Sequence, residues 1–161
     1  SLAMRDEDKN LLINSPINLP DNIEIANILN AKFSYEYGNV VKATSKNFVA
    51  LSGSGKETIP GILIQSKECR HMALLVHISR IGKKLSIKFY TLFMPVGATA
   101  NDQKQLAISL FKKLSPTASN WESSMKDSVL LIIQQILNSN TQTKTQTHTT
   151  NNNNNGGDIY L

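Results

Sequence analysis

Between residues 71 and 94 the chain reads His-Met-Ala-Leu-Leu-Val-His-Ile-Ser-Arg-Ile-Gly-Lys-Lys-Leu-Ser-Ile-Lys-Phe-Tyr-Thr-Leu-Phe-Met, and this stretch restricts the fold more than any other. Its period-two alternation predicts two strands, residues 71–79 and 85–94, with Gly82, Lys83 and Lys84 as the turn between them. On the first strand Met72, Leu74, Val76 and Ile78 share one face, and His71, Ala73, Leu75 and His77 the other. On the second, Leu85, Ile87, Phe89 and Phe93 share one face, and Ser86, Lys88, Tyr90, Leu92 and Met94 the other. Each strand thus has one strongly apolar face and a second that is only partly polar. Such a ribbon needs helices on one side, and its other side is open to a partner.

The flanking residues extend this unit. Asp21 is placed to cap a helix over residues 22–31 with Ile25, Ile28 and Leu29 on one face, although a strand fits the same residues. Residues 39–51 favour β structure, with Thr44, Ser45, Lys46 and Asn47 as a turn, and residues 52–55 form a Ser-Gly-Ser-Gly loop. A further strand covers residues 59–64, where Pro60 marks an edge or a strand start. After the hairpin, Asn101 or Asp102 caps a helix over residues 102–114 whose inward stripe is Leu106, Leu110, Phe111 and Leu114. Pro116 closes it. Residues 117–121 have room for one small strand, and Ser123 or Ser124 then caps a second helix ending near Asn138. Val129, Leu130, Ile132, Ile133, Ile136 and Leu137 bury that helix on more than one side. Strands followed by helices define an α+β class: an antiparallel sheet with a central hairpin and two C-terminal helices packed on one face.

A length of 161 residues with 40% hydrophobic content fits one folded domain, placed at residues 21–140. Residues 1–20, with Pro16 and Pro20, read as a flexible lead-in. Residues 141–161 are rich in Thr, Gln and Asn and hold too little apolar surface to offset their ordering entropy, so a disordered tail is expected. The run from Asn151 to Asn155 points to a eukaryotic source. No run approaches the roughly 18 apolar residues of a membrane span, and no basic segment leads into an apolar one as a secretory signal would. The cytoplasm, and the nucleus beside it, is the expected location.

The net charge of +5 is unevenly spread. Residues 1–30 hold two basic residues against five acidic ones, whereas residues 31–140 hold fourteen against six. The body is therefore basic, as a lysine-rich solvated exterior would be, and it also suits an acidic partner surface.

Chemistry-bearing patterns are few. Ser54-Gly55-Lys56-Glu57-Thr58 resembles the end of a phosphate-binding loop, but Ala50 stands where the first glycine belongs and Glu57 where a hydroxyl belongs. His71 and His77, six residues apart on one strand, lie roughly 20 Å from each other and cannot share a metal. Cys69 neighbours Arg70 and His71, yet successive strand side chains point to opposite faces, and a buried or incidental thiol is the simpler assignment. As the sole cysteine it excludes an internal disulfide. Glu36, Glu57, Glu68, Asp102, Glu122 and Asp127 show no pairing for acid–base work. No catalytic, cofactor-binding or metal-ligating residue is assigned, and a non-enzyme is expected. Arg80, Lys83, Lys84 and Lys88 with Tyr90 form a basic, aromatic ribbon that would suit single-stranded RNA, without the glycine-punctuated aromatic pattern of an RRM.

Three features together resemble the small proteasome assembly chaperones of the third and fourth types, the fourth especially. The first is a β region leading through Ile59-Pro60 into the hairpin, with Leu75-Val76-His77-Ile78-Ser79-Arg80-Ile81-Gly82-Lys83 similar to the central hairpin of the third type. The second is the amphipathic helix Gln103 to Leu114 running into Ser115-Pro116. The third is Trp121-Glu122-Ser123-Ser124, followed by Val129-Leu130-Leu131-Ile132; the fourth-type yeast subunit also has a short strand with Trp-Ser-Ser before an apolar helix. The resemblance spans residues 39–138 and lies in order and pattern. It implies a non-enzymatic chaperone that forms a heterodimer with a related small subunit and binds a 20S proteasome α subunit to guide α-ring assembly. The resemblance transfers no site residue. From the strand pattern, the partner-binding residues are Arg80, Lys83 and Lys84 at the tip with Tyr90, Leu92 and Met94 on the less committed face, for which residues 22–37 are the alternative cover. The alternative is an RNA-binding or generic protein-interaction adaptor using the same basic hairpin and sheet face.

Overall fold

The computed structural model describes residues 3–12, 18–93, 114–140 and 159–160. Their order is β1 (Ala3–Leu12), α1 (Asn22–Tyr37), β2 (Val41–Ser52), β3 (Gly55–Ser66), β4 (Met72–Ile81), β5 (Lys84–Phe93), α2 (Pro116–Asn140) and β6 (Ile159–Tyr160). The strands form one sheet in the order β1-β5-β4-β3-β2-β6; every pairing is antiparallel except that of β6, which runs parallel to β2. The class is α+β. The expected hairpin is β4–β5 at the centre of this sheet, with ten register pairs from Met72–Phe93 to Ile81–Lys84. Gly82 adopts φ +60 at the first of its two turn positions, where primed turns demand a left-handed residue.

Alternation along the strands gives the sheet two unlike faces. The rear face gathers Val41, Ala43, Ile62, Ile64, Leu74, Val76, Leu85, Ile87 and Phe89, and both described helices cover it. From α1 come Ile25, Ala26, Leu29 and Phe33, and from α2 Met125, Val129, Ile132, Ile133, Ile136 and Leu137. The α2 residues recur every three or four positions, so one wide stripe does the packing while Leu131 stays exposed. The helix expected at residues 102–114 lies outside the described residues. Among the described residues, the companion of α2 on this face is the N-terminal helix α1.

Of the helix and the strand left open for residues 22–31, the structure has the helix, α1. The Asp21 carboxylate accepts the Glu24 N–H at 2.8 Å, satisfying a first-turn donor. It runs to Tyr37 rather than residue 31 and stops at Gly38, whose φ of +69 and bond to the Ser34 carbonyl end the helix. Asn30 on its inner side bridges to β2: its amide nitrogen donates to the Ala43 carbonyl at 2.8 Å, and its oxygen accepts the Ala43 N–H at 2.7 Å. One side chain thus replaces a neighbouring strand at that point of the β2 edge.

Four local expectations are corrected. Residues 1–20 are not wholly a lead-in: residues 3–12 are β1, in ten-pair register with β5. Residues 44–47 are no turn but the middle of β2, paired with Leu63, Ile62, Gly61 and Pro60. The reversal falls at residues 53–54, and β3 starts at Gly55, not Ile59. Pro60 is accommodated because the β3–β4 ladder stops at Ile62–Val76, so no ladder bond to β4 is lost there. Residues 117–121 are helical, not a strand. Pro116 opens α2, with the Ser115 hydroxyl accepting the Ala118 N–H at 3.2 Å; a proline at the first helical position loses no intrahelical bond, and the helix expected to end before it lies outside the described residues. In the tail, Ile159 and Tyr160 pair with Phe48 and Val49, while residues 141–158 lie outside the described part. No helix among the described residues is long and apolar enough to cross a membrane.

Candidate functional site

The registers of β1, β5 and β4 stack the front face, opposite the helices, into rows. From the hairpin tip toward the base these are Leu12–Lys84–Ile81, Asn10–Ser86–Ser79, Asp8–Lys88–His77 and Asp6–Tyr90–Leu75, with Leu92–Ala73 below. The rows change character along the sheet. Leu92, Ala73, Leu75, Leu63 and Phe48 form a buried cluster at the base, joined by Ile59, Tyr90 and Ile159 at its margin. The middle rows are polar and half-exposed. At the tip, large apolar side chains return, and they are exposed.

This grading separates the six residues chosen from the sequence. Arg80, Lys83 and Lys84 stand exposed at the tip, with the Arg80 Nε donating to the Gly82 carbonyl at 3.3 Å. Tyr90 is half-buried in the middle. Leu92 is 1% exposed and belongs to the core, eight residues or roughly 26 Å of strand from Lys84. Met94 lies outside the described residues. The structure therefore brings the three cations to one end of the sheet, Arg80 in register with rear-face Leu85 and Lys84 on the front, and does not join them with Leu92 in one surface.

Tyr90 and Lys88 are held by neighbours from the same sheet. Phe48 packs edge-on against Tyr90 with centroids 5.4 Å apart and against His77 at 6.0 Å. His77 Nδ1 lies 2.9 Å from the Pro60 carbonyl; a carbonyl only accepts, so Nδ1 carries the proton. Lys88 Nζ sits 5.9 Å over the Tyr90 ring and within 3.8 Å of Asp6 and 3.7 Å of Asp8. Burial pushes the Tyr90 phenol up; the Lys88 charge opposes this, and Asp6 and Asp8 reinforce it. The acidic β1 thus answers part of the basic hairpin within the molecule. Sequence reasoning missed these partners because β1 was read as a lead-in. No apolar alternation marks β1 in the sequence, since Asp6, Asp8 and Asn10 on one face and Arg5, Glu7 and Lys9 on the other are all polar.

The largest gathering of ionisable groups lies on the rear face. A cleft of about 530 Å³ is lined by Arg5, Asp6, Glu7, Leu114, Ser119, Glu122 and Lys126. Arg5 pairs with Glu122, and Lys126 Nζ meets Glu7 at 2.8 Å and Glu122 at 3.3 Å. Lys126 and Arg5 favour the ionised forms of Glu7 and Glu122, which suits fastening β1 to α2. A second cleft of about 300 Å³ between α1, the β3–β4 loop and α2 is lined by Tyr37, Ser66, Cys69, Trp121 and Met125, among others. Burial raises the Cys69 thiol pKa, so Arg70 and His71 do not activate it. Lys56, in the motif similar to a phosphate-binding loop, is at the start of β3 and not at a helix N-terminus. Among the described residues no group of three His, Cys, Asp or Glu is placed to hold a metal.

No family model matches the chain, and no curated protein sequence matches it either. Among solved structures, the chain is similar to the solution structure of ChR145 from Cytophaga hutchinsonii, with 11% identity and a TM-score of 0.23 over 78% of this chain and 99% of that one. At that TM-score the likeness carries no argument.

Proposed function

We propose that the chain is a non-enzymatic assembly chaperone that pairs with a related small subunit and binds a 20S proteasome α subunit during α-ring formation. The observation that supports this best is the division of the sheet. Both described helices lie on its rear face, and the central hairpin runs forward to a tip where Arg80, Lys83 and Lys84 are exposed. The hairpin is also where the sequence resembles the assembly chaperones most. At residues 117–121 the helical start of α2 departs from the short strand of the fourth-type pattern, so the reading leans on the hairpin and on the order of elements. An acidic partner surface complements the tip, and the cytoplasm is the compartment in which such assembly would occur.

The test is mass spectrometry of what co-purifies with the tagged chain from its native source. Proteasome α subunits together with one small related protein are expected. Recovery of RNA that is lost as salt rises would favour the adaptor alternative instead, although Asp6 and Asp8 beside Lys88 weaken the charge such a strand would meet.

A further inference from the structure

We infer that the end of the hairpin is a docking site for an acidic amphipathic helix of a partner protein, received by Leu12, Lys84 and Ile81. The inference rests on the chain being a partner-binding protein and not on which partner it binds.

Leu12 and Ile81 are 69 positions apart in sequence, yet both are in register with Lys84, one from each side. All three therefore stand in one row on one face. Leu12 is 76% exposed and Ile81 67%, two of the five large exposed apolar side chains among the described residues. An apolar shoulder on each side of an ammonium group keeps water from a carboxylate that pairs with it, the arrangement that makes a polar contact count at an interface. The surrounding charge agrees. Residues 72–93 contain Arg80, Lys83, Lys84 and Lys88 and no Asp or Glu. The nearest front-face carboxylate in these rows, Asp8, is two rows inward and lies 3.7 Å from Lys88.

A lysine at a strand end also discourages unwanted strand pairing. That duty gives no reason for exposed Leu and Ile on both sides of it. Spacing selects the form of the ligand. Two strands separated by a third lie about 9.6 Å apart. On a helix, positions i and i+7 are about 10.5 Å apart with i+4 between them on the same face, whereas on an extended strand positions i and i+4 are about 13 Å apart. A helix with an acidic residue inside its apolar stripe matches the row.

The probe is a fluorescein-labelled, alanine-based helical peptide with Leu, Glu and Leu at i, i+4 and i+7, measured by anisotropy against the full chain. Binding is expected, with at least tenfold loss in the Leu12→Ser/Ile81→Ser double variant and in Lys84→Glu, and no change in Tyr35→Ser, an exposed side chain on α1. The same peptide with Lys in place of Glu should not bind. Equal binding of the two peptides, no binding of the Glu peptide, or undiminished binding by the double variant would overturn the inference; unchanged thermal melts show that the variants remain folded. Co-purification of proteasome α subunits reads the functional proposal separately. If they co-purify while the peptide fails, only the docking site falls; if the peptide binds and they do not, only the proteasome assignment falls.

Discussion

Lys126 of α2 and Glu7 of β1 meet at 2.8 Å across the rear of the sheet, joining residues 119 positions apart in sequence. The lysine side chain is 10% exposed, reaches Glu122 as well, and lies 5.8 Å over the Phe89 ring. Lys126→Ala should destabilise the fold by about 1–3 kcal/mol, because Glu7 and Glu122 each lose the ammonium partner and the packing on Phe89 is lost. Lys126→Met should recover the packing share. Glu7→Gln, at a more exposed carboxylate, should cost less than about 1 kcal/mol. Urea denaturation of the three variants orders them.

Acid should loosen the same junction. Hydrogen bonds from Lys126 and Lys9 hold the Glu7 carboxyl below its ordinary value of 4.5. For Glu122 burial pushes upward, but Arg5 and Lys126 outweigh it and the carboxyl is again lowered. A carboxylate whose folded pKa is below its unfolded one contributes fully above the unfolded value and loses that contribution as pH falls through the folded one. Stability from this pair should therefore be constant above about pH 5.5 and decline below about pH 4.5. The slope of melting temperature against pH should be shallower in Glu7→Gln/Glu122→Gln.

Gly61 is where Phe48 crosses the front face. A Cβ there would meet Phe48 Cε1 at 3.0 Å and Leu75 Cδ1 at 3.1 Å, and both side chains are buried. Gly61→Ala should cost about 1–3 kcal/mol by overpacking. Gly53→Ala, which meets nothing within 4 Å, provides the control in the same chemical denaturation series.

Leu92 should behave as a core residue. Leu92→Ala is expected to lower stability by about 2–5 kcal/mol, while its folded fraction binds the acidic helical peptide with wild-type affinity. Unaltered stability with lost binding would return Leu92 to the partner surface.

Both helix starts are open to a capping test. Asp21→Ala and Ser115→Ala should each cost about 1 kcal/mol, and Asp21→Ser much less, because serine also accepts a first-turn N–H. Thermal melts by circular dichroism measure all three.

Where the chain's own periodicity was strong, local reading and fold agree. The β4–β5 ribbon announces itself through ten alternating positions on each strand, whereas residues 22–31 suit helix and strand alike and only the structure makes them α1. Other segments were misjudged because the same residue serves opposite ends of an element. Pro116 suits both the residue after a helix and the first residue of one, and the Ser115 cap and the burial of Met125 and Val129 behind it show that it opens α2. Thr44 to Asn47 have turn-like composition, yet they pair with β3 without interruption. The candidate site divides in the same way. Arg80, Lys83 and Lys84 were legible beside Gly82, whereas Leu12 could not join them until β1 had a register.

Taken alone, the order of residues determined the α+β class, the central ribbon and its basic tip, since alternation, turn chemistry and local charge act between near neighbours. Only the tertiary structure decided that an acidic N-terminal segment is a strand, that Leu92 is interior, and that Leu12 and Ile81 flank one lysine. Those facts depend on pairings between residues dozens of positions apart, and a strand as charged as β1 takes its conformation from the backbone of β5 and from the cations of β5 and α2 rather than from its own side chains.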